Sequence, residues 1–379
     1  MKVIVVGAGI LGASTAWHLA REGAEVVLVD RDDRGRATAA GAGIVSPWGS
    51  KLENPAGYGL LADGARYYPE LLAALAEDGE TDVGYARVGA LYVPDEPDTL
   101  DAAERRIRAR AAEAPEAGRI ERLAPQQAQA LFPPLRPDLP GVFVEGGARV
   151  DGRLVAEALA RAASRRGARR IEGSAGLLLR GDRVAGVTVG SESGGGETIE
   201  ADWVVVAAGA WAAELLAPAG IALTVAPQRG QIVHLRRPGA ETAGWPSLQP
   251  LNSYYLLAFA DSRVVIGATR ETGSGFDHRL TAAGVAEVLN AGLATAPGLA
   301  DWPLHEIRIG FRPLAKDNRP RLGPAEGVEG LLIGNGLGAG GLTMGPFAGR
   351  LLAQAALGRE TTVPLAPFDP LRKPPRVHR

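Results

Sequence analysis

A chain of 379 residues is long enough for two or three folding units and a sizeable apolar core. Apolar residues make up 46% and charged residues 22%, an ordinary globular balance, and a formal net charge of −2 gives no bulk electrostatic pull on nucleic acid or anionic lipid. Cysteine is absent, which excludes disulfides, thiolate nucleophiles, iron–sulfur clusters, Cys-bound zinc and thioether-linked cofactors, and His18, His234, His278, His305 and His378 fall in no metal-binding spacing.

Lys2–Val6 is a short apolar run, Ile10–Glu22 has a helical pattern and Glu25–Asp30 reads as a second buried strand, which together make a βαβ unit. Val3–Ala20 carries no charged side chain and approaches the length of a membrane span. Gly7, Gly9 and Gly12 interrupt it, however, and Ser14 and Thr15 follow. The glycine-rich stretch Leu331–Gly349 is broken in the same way. Both read as strand–turn–helix crossings, so no transmembrane segment is expected and the expected compartment is the cytoplasm.

Arg31–Ser50 reads as a Gly/Ala-rich loop, Gly57–Glu77 as a helix and Ala90–Val93 as a strand. An Arg/Ala-rich helix follows at Asp98–Ala114, then a Pro-rich connection at Pro133–Pro140. Asp151 is a plausible N-cap for the next helix. Strands are expected at Gly176–Leu179, Arg183–Val189, Trp203–Val206, Gln231–Leu235, Tyr254–Leu257 and Val264–Gly267. A helix at Thr281–Leu293, strands at His305–Phe311 and Leu331–Ile333 and a helix from about Leu342 to Leu357 complete the pattern. The fold class is therefore α/β in two domains. A discontinuous Rossmann-like domain is expected from residues 1–50, 145–215 and 315–365. A substrate domain with a mixed or antiparallel sheet is expected from 51–144 and 216–314, with a Pro-rich, solvated tail at 366–379.

Gly7, Gly9 and Gly12 form GxGxxG between a strand and a helix. The first permits the tight turn, the second lets backbone approach a pyrophosphate, and the third allows close helix–strand packing, with the helix N-terminus facing the phosphates. Asp30 ends the second strand, where a carboxylate can accept ribose hydroxyls. Two further strands run into small residues: Trp203–Val206 into Gly209 and Trp211, and Leu331–Ile333 into the glycines up to Gly341. Three such turns suit a long dinucleotide lying across the sheet, FAD rather than NAD, with a second helix N-terminus at its far end.

With these residues in hand, the chain resembles the D-amino-acid oxidase superfamily of FAD amine oxidoreductases, glycine oxidases and bacterial D-amino-acid dehydrogenases above all. The resemblance runs nearly end to end. Val3–Ala20 with Asp30 is similar to the family's opening FAD motif, Ala37–Pro47 to its flavin-edge loop and Trp203–Trp211 to its second cofactor motif. Val264–Asp277 resembles a strand and loop of its substrate domain, and Gly310–Pro324 with Leu332–Pro346 its C-terminal signature. It implies non-covalent FAD, contacted by Gly7, Gly9, Ile10, Leu11, Gly12, Asp30, Arg31, Ala40, Gly41, Ala42, Gly43, Ile44, Gly209, Trp211, Gly336, Gly338, Gly340, Gly341, Leu342 and Thr343.

The resemblance also implies that Arg312 anchors a substrate carboxylate, a role for which a planar guanidinium fork is well suited. Along their strand Arg308, Gly310 and Arg312 share a face, and Gly310 leaves room. Tyr255 is implied as a substrate-orienting hydroxyl, with Tyr254 and Ala339 as further lining candidates; adjacent strand residues face opposite ways, so only one tyrosine can reach the substrate. The chain departs from the family at Ala339, where some glycine oxidases carry arginine, and at Leu257–Phe259, where a Pro-Arg pair is common.

The implied activity is oxidation of the CH–NH bond of a small amino acid, whether a D-amino acid, glycine or a secondary amino acid. Hydride passes to flavin N5, and the imine hydrolyses to a 2-oxo acid. The partners are that substrate and O2 or an electron carrier, with no nucleic acid; oligomerisation and peripheral membrane association stay open. The alternatives are a D-amino-acid dehydrogenase that uses a quinone or other carrier, and a non-catalytic dinucleotide-binding regulatory protein.

Overall fold

Strands that are apolar on both faces need cover on both sides, and the opening βαβ unit obtains it inside a six-stranded sheet. In the computed structural model, which describes residues 1–96, 98–190 and 196–373, the sheet runs Arg321–Pro324, Leu331–Asn335, Trp203–Val206, Lys2–Val6, Glu25–Asp30, Arg169–Glu172. All neighbours are parallel except Arg321–Pro324 at one edge. Lys2–Val6 lies between the second strand and Trp203–Val206, with Val6 level with both Val29 and Val206. Parallel sheets bind ligands where the chain order reverses, beyond the carboxyl ends of such strands.

Helices Ile10–Arg21, Pro55–Glu77, Gly152–Arg165 and Gly341–Ala356 cover one face through a core that includes Val3, Val5, Trp17, Leu71, Leu159 and Leu352. The first and last of these pack closely because glycine meets small residues: a Cβ on Gly349 would lie 2.6 Å from that of Ser14. Pro346, inside the last helix, has no N–H for the carbonyl of Leu342, and the buried Tyr68 hydroxyl donates to that carbonyl at 2.5 Å instead. The other face of the sheet is covered by the antiparallel trio Ser174–Arg180, Arg183–Gly190 and Gly196–Glu200.

A nine-stranded mixed sheet forms from residues 90–144 and 225–315. Its two long strands, Val225–Arg236 and Leu304–Ala315, pair antiparallel with Gly230 opposite Gly310. Helix Ala282–Thr295 packs on it over Leu248, Leu256, Val264 and Ile266. Among the described residues no helix is long and apolar enough to cross a membrane.

Several elements depart from the expected pattern. Arg169–Glu172 and Gly196–Glu200 are edge strands with few apolar side chains, so alternation does not mark them. Ile120–Leu123, helix Pro125–Leu131 and Gly141–Val144 lie in a stretch without an expected element, and the loop Arg31–Ser50 holds a short helix, Ala37–Ala40, and a strand, Ile44–Val45. The C-terminal segment is docked rather than solvated up to Arg372. Phe368 is 2% exposed, Arg372 Nε donates to Asp317 Oδ2 at 2.9 Å, and the buried Arg321 donates to the Pro370 carbonyl at 2.8 Å. Basic residues read as a solvated face are here the partners of a buried acid. His378 lies outside the described residues.

Candidate active site

The turn after the first strand is shaped by contacts that tolerate no side chain. Gly7 has φ +106°, its N–H donates to Val29 O at 2.8 Å, and a Cβ on it would lie 2.5 Å from the Ala207 carbonyl oxygen. A Cβ on Gly12 would lie 1.8 Å from the Gly7 carbonyl oxygen. Gly9 differs, because a Cβ there would meet only Thr38 Oγ1, at 3.2 Å. Gly9 is the N-cap of its helix and has no side chain to cap it; Thr38 takes the first helical N–H, and the helix end faces the cleft. The helix Gly341–Ala356 also begins at an uncapped glycine, Gly340. Asp30 accepts the Ala8 N–H at 2.6 Å and the Asp32 N–H at 2.7 Å, which fixes its carboxylate beside the turn.

One cleft of about 360 Å³ joins these features, a volume typical of ligand sites. Of the expected cofactor residues, Gly7, Gly9, Ile10, Leu11, Asp30, Arg31, Ala40, Gly41, Ala42, Gly43, Ile44, Gly209, Trp211, Gly338, Gly341 and Leu342 line it. Gly12, Gly336, Gly340 and Thr343 do not. Gly12 packs helix on strand, Gly336 turns the chain over Ala315 and Arg319, and Gly340 leaves room for Met344. Thr343 donates to the Ile44 carbonyl at 2.7 Å and so holds the loop rather than facing the cleft. An acid beside a glycine turn, two helices that begin at glycine and small residues along Ala40–Gly43 make a donor set and shape that fit a dinucleotide.

The same cleft is lined by Tyr255, Arg312 and Ala339, whereas Tyr254 points elsewhere and donates to Glu287 Oε1 at 2.8 Å. Glycines form the floor beneath the two polar side chains. A Cβ on Gly230 would lie 2.6 Å from both Arg312 Nη atoms, and one on Gly267 would lie 2.3 Å from the Tyr255 hydroxyl. Arg312 Nη1 donates to the Thr269 carbonyl at 3.0 Å. Burial pushes the Tyr255 phenol pKa up against the opposing pull of Arg312 and Arg270, so the hydroxyl stays protonated.

Arg270 was not among the expected residues. It lines the cleft, and Nη1 donates to the Ser253 carbonyl at 2.6 Å. Desolvation, followed by the nearby Arg312, holds its pKa below the usual guanidinium value. Among the described residues neither Arg270 nor Arg312 has a carboxylate partner, although Arg229, Arg263 and Arg372 all do. The missed signal lay in strand pairing: Gly267 stands opposite Tyr255, so the residues after it pass the tyrosine. Thr38 and Arg36 were also missed. Thr38 accepts the Ile10 N–H at 3.0 Å, and Arg36 lies beside Asp30 and pairs with Asp32.

The model of the DAO family, described as FAD dependent oxidoreductase, matches residues 2–355. The uncharacterised oxidoreductase YurR of Bacillus subtilis (strain 168) is 46% identical, over 97% of this chain and 98% of its own. A glycine oxidase of Pseudomonas aeruginosa is 33% identical, over 97% of this chain and 98% of its own. The crystal structure of iminodiacetate oxidase (IdaA) from Chelativorans sp. BNC1 aligns with a TM-score of 0.93 at 52% identity, covering 97% of this chain and 98% of its own.

Proposed function

Since the chain belongs to the DAO family of FAD-dependent oxidoreductases, we propose that it oxidises the CH–NH bond of a small amino acid that carries two carboxylates, of the iminodiacetate type. The observation that carries this reading is the pair of guanidinium groups, Arg270 and Arg312, which face one cleft and, among the described residues, are paired with no carboxylate of the protein. Two unneutralised cations in a partly dry site favour a dianionic ligand. The 52% identity to a protein described as an iminodiacetate oxidase supports the same class.

FAD, when bound, supplies the two-electron acceptor for a hydride leaving the substrate Cα. The residues that would hold it are Gly7, Gly9–Leu11, Asp30, Ala40–Ile44, Gly338, Gly341 and Leu342. The chain has no cysteine for a thioether link, which supports a cofactor held non-covalently. Arg312 binds the carboxylate on the carbon to be oxidised, and Tyr255 donates a hydrogen bond to that group. Arg270 binds the second carboxylate. The substrate enters with its amine neutral, so no side-chain base is required. Loss of the Cα hydride and the nitrogen proton leaves an imine, which water splits; iminodiacetate would yield glyoxylate and glycine. The electrons then pass to O2 or to a carrier.

The test is anaerobic flavin bleaching with glycine, sarcosine, proline, D- and L-alanine and iminodiacetate, on the wild type and on Arg270→Met. The diacid should bleach fastest, and Arg270→Met should lower its kcat/KM about 10- to 150-fold, the worth of one hydrogen-bonded charge contact. The monocarboxylates should change by no more than about threefold. Bleaching by glycine as fast as by the diacid, or equal losses for both in the variant, would refute the diacid assignment.

A further inference from the structure

We infer that Glu271, acting through Thr269, is a positioning residue that aims both carboxylate-binding guanidinium groups at the cleft; this rests on the anchoring role proposed for Arg312. Thr269 Oγ1 donates to Glu271 Oε1 at 2.7 Å and accepts the Gln231 N–H at 2.9 Å, while Gln231 Nε2 donates to the same Oε1 at 2.9 Å. The other carboxylate oxygen takes Arg229 Nε at 2.9 Å and Nη2 at 2.5 Å. Arg229, 6% exposed, also donates through Nη1 to the carbonyls of Asp277 and Arg279. The acid is thus tied to the strand Val225–Arg236 and to the loop that follows it in sequence.

Two consequences reach the cleft. The Thr269 carbonyl accepts from Arg312 Nη1 at 3.0 Å, so whatever fixes Thr269 fixes the plane of that guanidinium. Arg270 sits between the two pinned residues and lines the cleft, while its neighbours' side chains meet Arg229 and Gln231. Glu271 lies next in sequence to Arg270, yet its charge is satisfied by Arg229, which leaves Arg270 free for a substrate carboxylate. Burial raises the Glu271 pKa, but the hydrogen bonds from Arg229, Thr269 and Gln231 outweigh it, and the carboxyl is held below the usual range. The clamp therefore stays ionised near neutral pH.

Thr269→Val keeps the side-chain shape and removes the hydroxyl. With whichever carboxylated amine reduces the wild type, its KM should rise about tenfold or more while kcat stays within about threefold. The Kd of malonate or acetate, read from perturbation of the flavin spectrum, should rise in parallel, and Thr269→Ser should restore both. Glu271→Gln takes from the buried Arg229 the closer of its two counter-charges, leaving it Asp277 alone, and can fail to fold. The second variant is therefore the double change Arg229→Met with Glu271→Met, which removes both charges of the closer pair while Asp277 keeps Arg279. It should bind FAD and still show the raised KM. A folded, FAD-loaded Thr269→Val or double variant with wild-type KM and Kd overturns the inference. Preference for a monocarboxylate overturns the diacid reading alone, because the clamp then acts through Arg312 and the same KM rise is still required.

Discussion

Replacing Gly9 and Gly12 by alanine, one at a time, separates what holds the cofactor from what holds the fold. At Gly12 the new Cβ would stand 1.8 Å from the Gly7 carbonyl oxygen and 3.2 Å from Ala207 Cβ, a collision with backbone that only a shift of helix against strand relieves. Overpacking of this kind costs about 1–3 kcal/mol and sometimes more, which lowers the melting temperature of a large domain by about 2–4 °C per kcal/mol. At Gly9 the Cβ meets a single side-chain oxygen, Thr38 Oγ1, at 3.2 Å, so the stability of the FAD-free protein should change by less than about 1 kcal/mol. Gly9 nevertheless faces the cleft at a helix N-terminus, where a methyl group would keep a pyrophosphate off the backbone. The assay is thermal unfolding of the FAD-stripped proteins, followed by titration with FAD while flavin fluorescence is read. Gly12→Ala should melt several degrees below wild type. Gly9→Ala should melt with the wild type and bind FAD about tenfold or more weakly, a loss of about 1.4 kcal/mol. Wild-type FAD affinity in Gly9→Ala, or a melting temperature as low as that of Gly12→Ala, would refute this division of roles.

Two further outcomes are expected. His234, 2% exposed, has its pKa lowered from 6.5 to about 3 by burial and by the adjacent Arg263, whose Nη1 lies 3.2 Å from Nδ1. The unfolded chain takes up a proton below pH 6.5 that the folded one refuses until about pH 3, so stability is full above that window and falls as pH drops through it. By pH 5 the loss amounts to about 2 kcal/mol, and His234→Gln should flatten the urea midpoint against pH; an unchanged slope would show that another group is responsible. Tyr255→Phe removes one hydrogen-bond donor and should lower kcat/KM about 5- to 20-fold with the pH profile unmoved, because the phenol is already held protonated. An alkaline limb present in the wild type and missing from this variant would make Tyr255 an acid–base group instead.

Elements that declare themselves over a few residues were legible from the start. Lys2–Val6, Ile10–Arg21 and Glu25–Asp30 appear within a residue of their expected bounds, since runs of β-branched residues and a glycine turn act locally. Arg169–Glu172 and Gly196–Glu200 were not legible, because an edge strand needs apolar side chains on one face at most. Arg372 read as tail charge only because Asp317, its partner, is distant in the chain.

Alternation alone placed Tyr254 and Tyr255 on opposite sides of a strand and set Arg312 on the glycine face of another, since side-chain direction in a strand follows from the pleat. Whether a cleft faced either side was beyond that pattern. It depended on the register that puts Gly267 opposite Tyr255 and Gly230 opposite Gly310, and so clears a floor for Tyr255 and Arg312. Arg270 came into view only then. Its place beside Arg312 is produced by hydrogen bonds between segments far apart in the chain, and pairing of that kind leaves no mark on the residues next to it.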